Sequence, residues 1–140
     1  SDKKYKILTE FVSDLSSETK DVETYIFVKD NISKYNLGID IISKALKDKV
    51  IEIKTNFKFE DKVDNPKKSY FEITYTTIIK VDEEIKEKKD LERIILCDVQ
   101  NEIYPRIEKV FINLLETSGY KGIKFDKKID FEKLYTQRNN

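Results

Sequence analysis

The stretch 91–119 carries the longest regular pattern in the chain, and every other segment must pack against it. Its apolar residues recur every three or four positions, the spacing that places side chains on one face of an α-helix. They are Leu91, Ile95, Val99, Ile103, Ile107, Val110, Phe111 and Leu114. Asp90 can cap the start of this helix, and Gly119 can adopt the left-handed conformation that ends one. Because Pro105 removes a helical hydrogen bond, we expect a short leading segment, a break at 101–104 and a main helix from there.

Two stretches that precede the helix alternate between apolar and polar side chains. This alternation, at 51–59 and 70–80, predicts β-strands that are covered on one face only. In the second strand we expect Phe71, Ile73, Tyr75, Thr77 and Ile79 to face the core, and Tyr70, Glu72, Thr74, Thr76 and Ile78 to face outward.

Weaker patterns lie nearer the N-terminus. Alternation at 5–11 and 38–46 predicts two more strands, and the small polar residues of 13–18 predict an irregular or bent continuation of the first. Residues 19–37 show no clear period although they contain many apolar side chains. We therefore expect a long connection without regular structure that lies across the surface of the core.

The C-terminal part begins with a loop at 120–129 that is expected to be partly extended. Asp130 is then expected to cap a short last helix, with Phe131 and Leu134 facing the core. Strands come first and helices last along the chain. This order predicts one α+β domain over 1–140, with an antiparallel sheet of about four strands and helices on one face.

The composition excludes several classes of function. Acidic and basic residues number 27 each, so no overall field attracts nucleic acid or an anionic membrane. The chain has no histidine and a single cysteine, Cys97, which excludes an internal disulfide and a Cys/His zinc site. Its three glycines form no phosphate-binding loop. We expect no enzyme, no metal and no cofactor, no membrane insertion, and a cytoplasmic location.

The two irregular connections hold more aromatic surface than a solvated linker needs. The aromatic residues concerned are Tyr25, Phe27, Tyr35, Tyr120 and Phe125. One interpretation is that these side chains fill the rim of the core. The other is that they line a groove for another chain or for a small apolar ligand, since apolar patches on globular proteins commonly mark binding sites. The residue pattern favours neither interpretation.

Three motifs distinguish the chain further. Residues 11–18 read Phe-Val-Ser-Asp-Leu-Ser-Ser-Glu, residues 103–106 read Ile-Tyr-Pro-Arg, and residues 129–135 read Ile-Asp-Phe-Glu-Lys-Leu-Tyr. In this order and at this spacing they resemble the first-strand motif, the helix-break motif and the closing helix of the SecB family of protein-export chaperones. The resemblance covers almost the whole chain.

The resemblance implies a four-stranded antiparallel sheet with a long crossover between its first two strands. It also implies a long broken helix and a short C-terminal helix, joined by an extended loop. Members form dimers of dimers and act as ATP-independent holdases that bind unfolded preproteins and pass them to the SecA motor. Their client groove is walled by the crossover and the helix-connecting loop. On this chain that groove corresponds to Tyr25, Phe27, Val28, Tyr35, Tyr120, Ile123 and Phe125.

The family's acidic SecA-contact surface corresponds to Asp14, Glu18, Tyr70 and Glu72 in this chain. The chain departs from the family in its neutral net charge, where typical members are strongly acidic. Some SecB-like proteins instead serve other systems, such as a toxin–antitoxin pair, so that role is the alternative to preprotein export. A small α+β domain that binds an apolar ligand is the second alternative.

Overall fold

The computed structural model describes residues 3–125 and 129–138. Within them, four strands form one antiparallel sheet in the order β1-β4-β3-β2. The strands are β1 (Tyr5–Glu18), β2 (Tyr35–Ala45), β3 (Val50–Asp61) and β4 (Tyr70–Val81). Because β1 and β2 lie at opposite edges, the chain between them must cross the width of the sheet. The predicted α+β fold, with its four-stranded antiparallel sheet and its crossover, is confirmed.

The edge strand β1 is longer than the pattern at 5–11 indicates. It continues to Glu18, and its register against β4 shifts between Ile7 and Thr9 and again between Val12 and Asp14. These shifts blur the alternation, because an extra residue in a strand reverses which side chains face the core. The other edge strand, β2, begins three residues earlier than predicted, at Tyr35.

The crossover is not irregular, and the prediction for 19–37 is wrong on this point. It contains helix α1 (Val22–Asn31) and a 3-10 turn (Ile32–Lys34). Asp21 caps the helix by accepting a 2.8 Å hydrogen bond from the Thr24 backbone N–H. The residue pattern did not predict this helix because its apolar side chains do not share one face. Val28 is fully buried, whereas Ile26 is 56% exposed.

The long helix is interrupted earlier than predicted. Helix α2 (Lys88–Arg93) leads into a π-helical segment (Ile94–Asp98) and then into α3 (Val99–Thr117). Asp90 lies in the first turn of α2 rather than at its cap. Pro105 lies inside α3, so the expected break at 101–104 is wrong. Ile103 and Ile107 flank the proline and are fully buried, and their packing holds the helix together across it.

The π-helical segment has an identifiable cause in the core. The buried Gln100 side chain donates from Nε2 to the Ile95 carbonyl at 3.2 Å, and its Oε1 accepts from the Thr55 hydroxyl at 3.0 Å. The Val99 N–H bonds to the Ile94 carbonyl, five residues back. A side chain that inserts into the backbone hydrogen bonds of a helix is a known cause of such a local distortion.

The core lies between one face of the sheet and the helices. The five β4 side chains predicted to face inward are all buried. Thr76, predicted to face outward, is also buried. Its hydroxyl lies 2.7 Å from the hydroxyl of Ser13, the extra residue at the second register shift of β1. Cys97 is buried in the core as a free thiol.

The last helix, α4 (Phe131–Arg138), begins as predicted. The Lys133 N–H donates to the Asp130 carboxylate at 3.0 Å, and Phe131 is buried. Leu134 was expected to face the core but is 42% exposed, and Tyr135, one turn from Phe131, is buried instead. In the loop predicted at 120–129, residues 126–128 lie outside the described part of the chain.

Candidate functional site

A cleft of about 410 Å³ lies where the crossover enters β2 and the segment after α3 passes over the end of β3. Its walls come from three parts of the chain that lie far apart in sequence. The lining residues are Ile32, Ser33, Tyr35, Asn36, Leu37, Phe59, Gly122, Ile123, Lys124 and Phe125. Three of the seven sequence-predicted groove residues, Tyr35, Ile123 and Phe125, are therefore together in one cleft.

The floor of the cleft is aromatic. The Phe59 ring lies 5.6 Å from the Phe125 ring at 71° and 5.5 Å from the Tyr35 ring at 51°. Phe125 also stacks on Phe111 of α3 at 6.1 Å, which fixes the segment after the helix against the core. The Tyr35 hydroxyl is held by the Ser69 backbone N–H, which donates to it at 3.0 Å, and burial raises the pKa of this tyrosine. Apolar side chains that enter the cleft meet preformed ring surfaces.

The rim of the cleft is polar. Ser33, Asn36 and Lys124 are exposed, whereas Leu37 and Ile123 are half-buried. An apolar floor within a polar rim is the usual composition of a site that binds an apolar segment of another molecule.

The other four predicted groove residues lie beside the cleft rather than in its wall. Tyr120 and Val28 are buried, at 2% and 0% exposure, while Tyr25 and Phe27 are half-buried. Tyr25 connects α1 to the segment after α3, since its hydroxyl donates to the Gly119 carbonyl at 2.8 Å and its ring lies 5.2 Å from Tyr120. These contacts position one wall of the cleft.

The end of α3 explains why the chain turns into the cleft at this point. Gly119 has a φ of +99°, its N–H bonds to the Glu116 carbonyl, and the Tyr120 N–H bonds to the Leu115 carbonyl. This pair of bonds is a Schellman motif, which requires the left-handed conformation that the sequence predicted for Gly119.

Sequence reasoning missed Ile32, Leu37 and Phe59 as members of the site. For Phe59 the alternation at 51–59 predicted only membership of that strand. Leu37 alternates with Ile39 and Ile41 in β2, so extending the strand pattern to its true start would have placed Leu37 on the same face. No local signal brings residue 59 next to residue 125, because that contact depends on the tertiary fold.

A second apolar cavity of about 160 Å³ lies farther along β2. It is lined by Ile39, Asp40, Ile41, Leu96, Leu134 and Tyr135. Among the described strands, β2 pairs only with β3, so its other edge offers backbone groups without ladder partners. This free edge runs past both cavities.

The four sequence-predicted contact residues outside the cleft share one region of the sheet. Glu18 pairs with Tyr70 across β1 and β4, and the next outward pair is Ser16 with Glu72. With Asp14 they lie on the sheet face away from the helices. Asp14, Glu18 and Tyr70 are exposed, and Glu72 is half-buried, accepting a 2.7 Å hydrogen bond from the Asn56 amide.

Among the described strands β1 pairs only with β4, and its other edge carries four exposed apolar side chains. They are Leu8, Phe11, Val12 and Leu15, each between 37% and 50% exposed. A long edge strand with exposed apolar residues is a ready site for pairing with another strand.

A polar network joins β1 to α3 on the helix side of this edge. Arg106 contacts both carboxylate oxygens of Glu10 at 2.7 and 2.8 Å, and the Tyr75 hydroxyl donates to Glu10 at 2.6 Å. The Tyr5 hydroxyl donates to Glu102 at 2.6 Å, and this bond is the main reason that the pKa of Glu102 lies below its ordinary value. Burial raises the pKa of Tyr75 to about 12. The network holds the helix on the sheet.

The described residues contain no cluster of three or more side chains suited to hold a metal ion. In the same part of the chain, none of the helices combines the length and the apolar character needed to cross a membrane.

Comparisons with known proteins identify the family. The family model described as preprotein translocase subunit SecB matches residues 1–140. A Pelagibacter ubique (strain HTCC1062) protein named "Putative protein-export protein SecB" is 60% identical over 136 residues, which cover 97% of each chain. The protein-export protein SecB of Parvibaculum lavamentivorans is 23% identical over 134 residues, covering 96% of this chain and 78% of that protein.

A solved structure shares the fold. It is the SecB-like chaperone Rv1957 of Mycobacterium tuberculosis, in complex with a ChAD peptide from the antitoxin HigA1. It superposes with a TM-score of 0.66 at 9% identity, over 90% of this chain and 88% of that one. From the family match over the full length and the 60% identical relative, the chain belongs to the SecB family, the protein-export chaperones.

Proposed function

We propose that this protein is an ATP-independent holdase that binds unfolded preproteins in the cleft and passes them to the export machinery. The observation that carries the proposal is the aromatic cleft between the start of β2 and the segment after α3. We place Tyr35, Leu37, Phe59, Ile123 and Phe125 in direct contact with the client. Tyr25, Phe27, Val28 and Tyr120 shape and support the adjoining wall.

Selection for unfolded clients follows from the hydrophobic effect. An unfolded chain exposes aromatic and aliphatic side chains that a folded chain buries, and their transfer from water to an apolar cleft is favourable. A chaperone that binds the unfolded but not the native state lowers the population that can fold. No sequence motif in the client is needed.

The free edge of β2 supplies a second kind of contact. An extended client segment can pair with this edge through its backbone while its side chains enter the cavities that Asn36 and Asp40 border. Backbone pairing is independent of client sequence, so it suits a chaperone with many clients.

Oligomer formation is part of the proposal. Pairing of two β1 edges would cover Leu8, Val12 and Leu15 and join two sheets into one. The resulting dimer, and a dimer of dimers built on the long helices, place several clefts on one particle. Multiple clefts hold a long client more tightly than one.

The export motor SecA is the proposed receiver of the client. Its contact surface would include Asp14, Glu18, Tyr70 and Glu72, which lie together on the sheet face away from the helices. We place the protein in the cytoplasm, because a holdase for preproteins must meet them before export.

Refolding arrest tests the proposal. A slow-folding preprotein is diluted from denaturant with and without the chaperone, and light scattering sizes the complex. The expected result is arrest at equimolar oligomer without ATP. The proposal would be contradicted if the protein does not bind the denatured polypeptide but retains a small apolar molecule in native mass spectrometry. Capture of an antitoxin with no effect on preproteins would instead favour a toxin–antitoxin role, since Rv1957 is in complex with an antitoxin peptide.

A further inference from the structure

The face of the sheet away from the helices, here called the outer face, is divided into two halves of opposite charge. Strand register determines the division: Glu72 lies between Ser16 and Lys58, and Lys80 lies between Lys6 and Val50. One half holds five carboxylates and one lysine, which are Asp14, Glu18, Asp40, Glu60, Glu72 and Lys58. The other half holds four lysines and one glutamate, which are Lys6, Lys44, Lys54, Lys80 and Glu52.

These charges are available to a partner. In the part of the chain that the structure describes, none of the eleven forms an ion pair within 4.0 Å. Nine of them are exposed, and Glu52 and Glu72 are half-buried. The centres of the two halves are separated by about six residues along a strand, or about 20 Å. At that separation the centres of the two halves are largely screened from each other in physiological salt, where the Debye length is about 8 Å, whereas Asp40 and Lys54 face each other across the boundary in neighbouring rows.

Exposed apolar side chains lie between the two halves. Phe11 pairs with Thr76, Thr76 with Lys54, and Lys54 with Ile42, so Phe11 and Ile42 belong to one row across the sheet. Their side chains are 50% and 58% exposed. Pairing at the edge of β1 would leave Phe11 on this face. This row also contains Lys54, so it is the part of the basic half that borders the acidic half, and it places two apolar side chains at that boundary.

We propose that the outer face docks a partner-protein segment with a cationic cluster and an anionic cluster about 20 Å apart and apolar side chains between them. The cationic cluster lies on the acidic half and the anionic cluster on the basic half. This proposal rests on the proposed function, because the acidic half contains the residues assigned there to the receiver of the client. It adds that the receiver's contact segment carries both signs of charge. A uniformly cationic segment is repelled by Lys54 and Lys80.

Synthetic peptides test the proposal on the full-length protein. The bipolar peptide carries four lysines and four glutamates separated by a spacer of about two prolines, so the centres of the two clusters lie about six residues apart, which is about 19 Å at about 3.1 Å per residue. The basic peptide has serine in place of each glutamate. Fluorescence anisotropy measures Kd at low salt and at about 0.15 M salt. Two variants are compared with the wild type: Lys54→Gln with Lys80→Gln in the basic half, and Asp14→Asn with Glu18→Gln in the acidic half.

The wild type should bind the bipolar peptide about fivefold more tightly than the basic peptide at low salt, since exposed charge pairs are individually weak. The lysine variant should show a smaller difference between the two peptides, since only Lys6 and Lys44 remain in the basic half, and its Kd for the basic peptide should be no weaker than that of the wild type. The carboxylate variant should bind both peptides more weakly. The advantage of the bipolar peptide should shrink at the higher salt concentration.

The outcomes separate the two proposals. Equal binding of both peptides by the wild type would overturn the bipolar partner and leave the acidic contact surface standing. Failure to bind the basic peptide at all would overturn the acidic surface itself. Sedimentation without peptide supplies a further check. Salt-sensitive association that the lysine substitutions abolish would overturn the proposal in favour of a second copy as the occupant.

Discussion

Replacement of Ile123 by serine is the sharpest test of the cleft as the client site. Fully burying an isoleucine side chain stabilises a complex by about 1.5–3 kcal/mol. Ile123 lines the cleft and is already half-buried in the free protein. At most about a third of its surface therefore remains for a client to cover, which corresponds to about 0.5–1 kcal/mol, or a roughly two- to fivefold increase in Kd.

The assay measures Kd for a fluorescently labelled, permanently unfolded polypeptide by anisotropy, and the thermal midpoint by circular dichroism. The matched control is Ile85→Ser. Ile85 is also half-buried against the core but lies between β4 and α2, where the Lys49 ammonium donates to its carbonyl, and it does not line the cleft. Both variants should lower the midpoint by a few degrees, since about 1 kcal/mol shifts a domain of this size by that amount.

Only Ile123→Ser should weaken client binding. A variant that binds the client as tightly as the wild type, although its midpoint falls as expected, would refute the reasoning. Equal weakening by Ile85→Ser would refute it as well, because client affinity would then follow stability rather than the cleft. The companion change, Tyr25→Ser with Phe27→Ser, should weaken client capture with a larger loss of stability than Ile123→Ser, because Tyr25 bonds to Gly119.

Stability measurements test three local features of the fold. Gly119→Ala should lower the free energy of unfolding in urea by at least about 1–2 kcal/mol, since φ is +99° and the new Cβ would lie 2.6 Å from the Tyr25 ring. An unchanged urea midpoint would contradict the helix end described above. Gln100→Leu should lower the free energy of unfolding in urea by about 1–3 kcal/mol, because it leaves the buried polar partners of Gln100 unsatisfied. An unchanged free energy of unfolding would mean that the π-helical segment does not depend on the Gln100 amide. Tyr5→Phe should flatten the acid limb of the stability curve. The Tyr5 bond lowers the folded-state pKa of Glu102 below its ordinary 4.5, so the stability it contributes is present above that value and lost as pH falls through the folded pKa. Urea titrations from pH 7 to about pH 3 check this, and a variant curve that keeps the full slope of the wild type would contradict it.

Local patterns predicted the central part of the fold because the physical constraints there are local. The alternation in β3 and β4 records which side chains meet the core, and the inward residues of β4 are all buried. The end of α3 at Gly119 and the cap at Asp130 depend on backbone groups within a few residues. Such features are readable without knowledge of the partner segments.

Features created by contacts between distant segments were predicted less well. Helix α1 has no apolar stripe, and its place is set by contacts such as that of Tyr25 with Gly119, 94 residues away in sequence. The π-helical segment depends on Gln100 meeting Thr55 across the core. Pro105, the strongest local signal for a break, was outweighed by the buried side chains on either side of it.

By itself, the sequence determined the α+β class, the two strands β3 and β4 that are covered on one face, the end of the long helix and the family resemblance. Only the tertiary structure decided which aromatic residues share the cleft, since it brings Phe59 against Phe125, and how charge is arranged on the outer face. The physical reason is the range of the interactions. Periodicity and capping depend on neighbours within about one turn or one strand pair. A cleft or a charged face depends on strand order and register, which set the position of every segment at once.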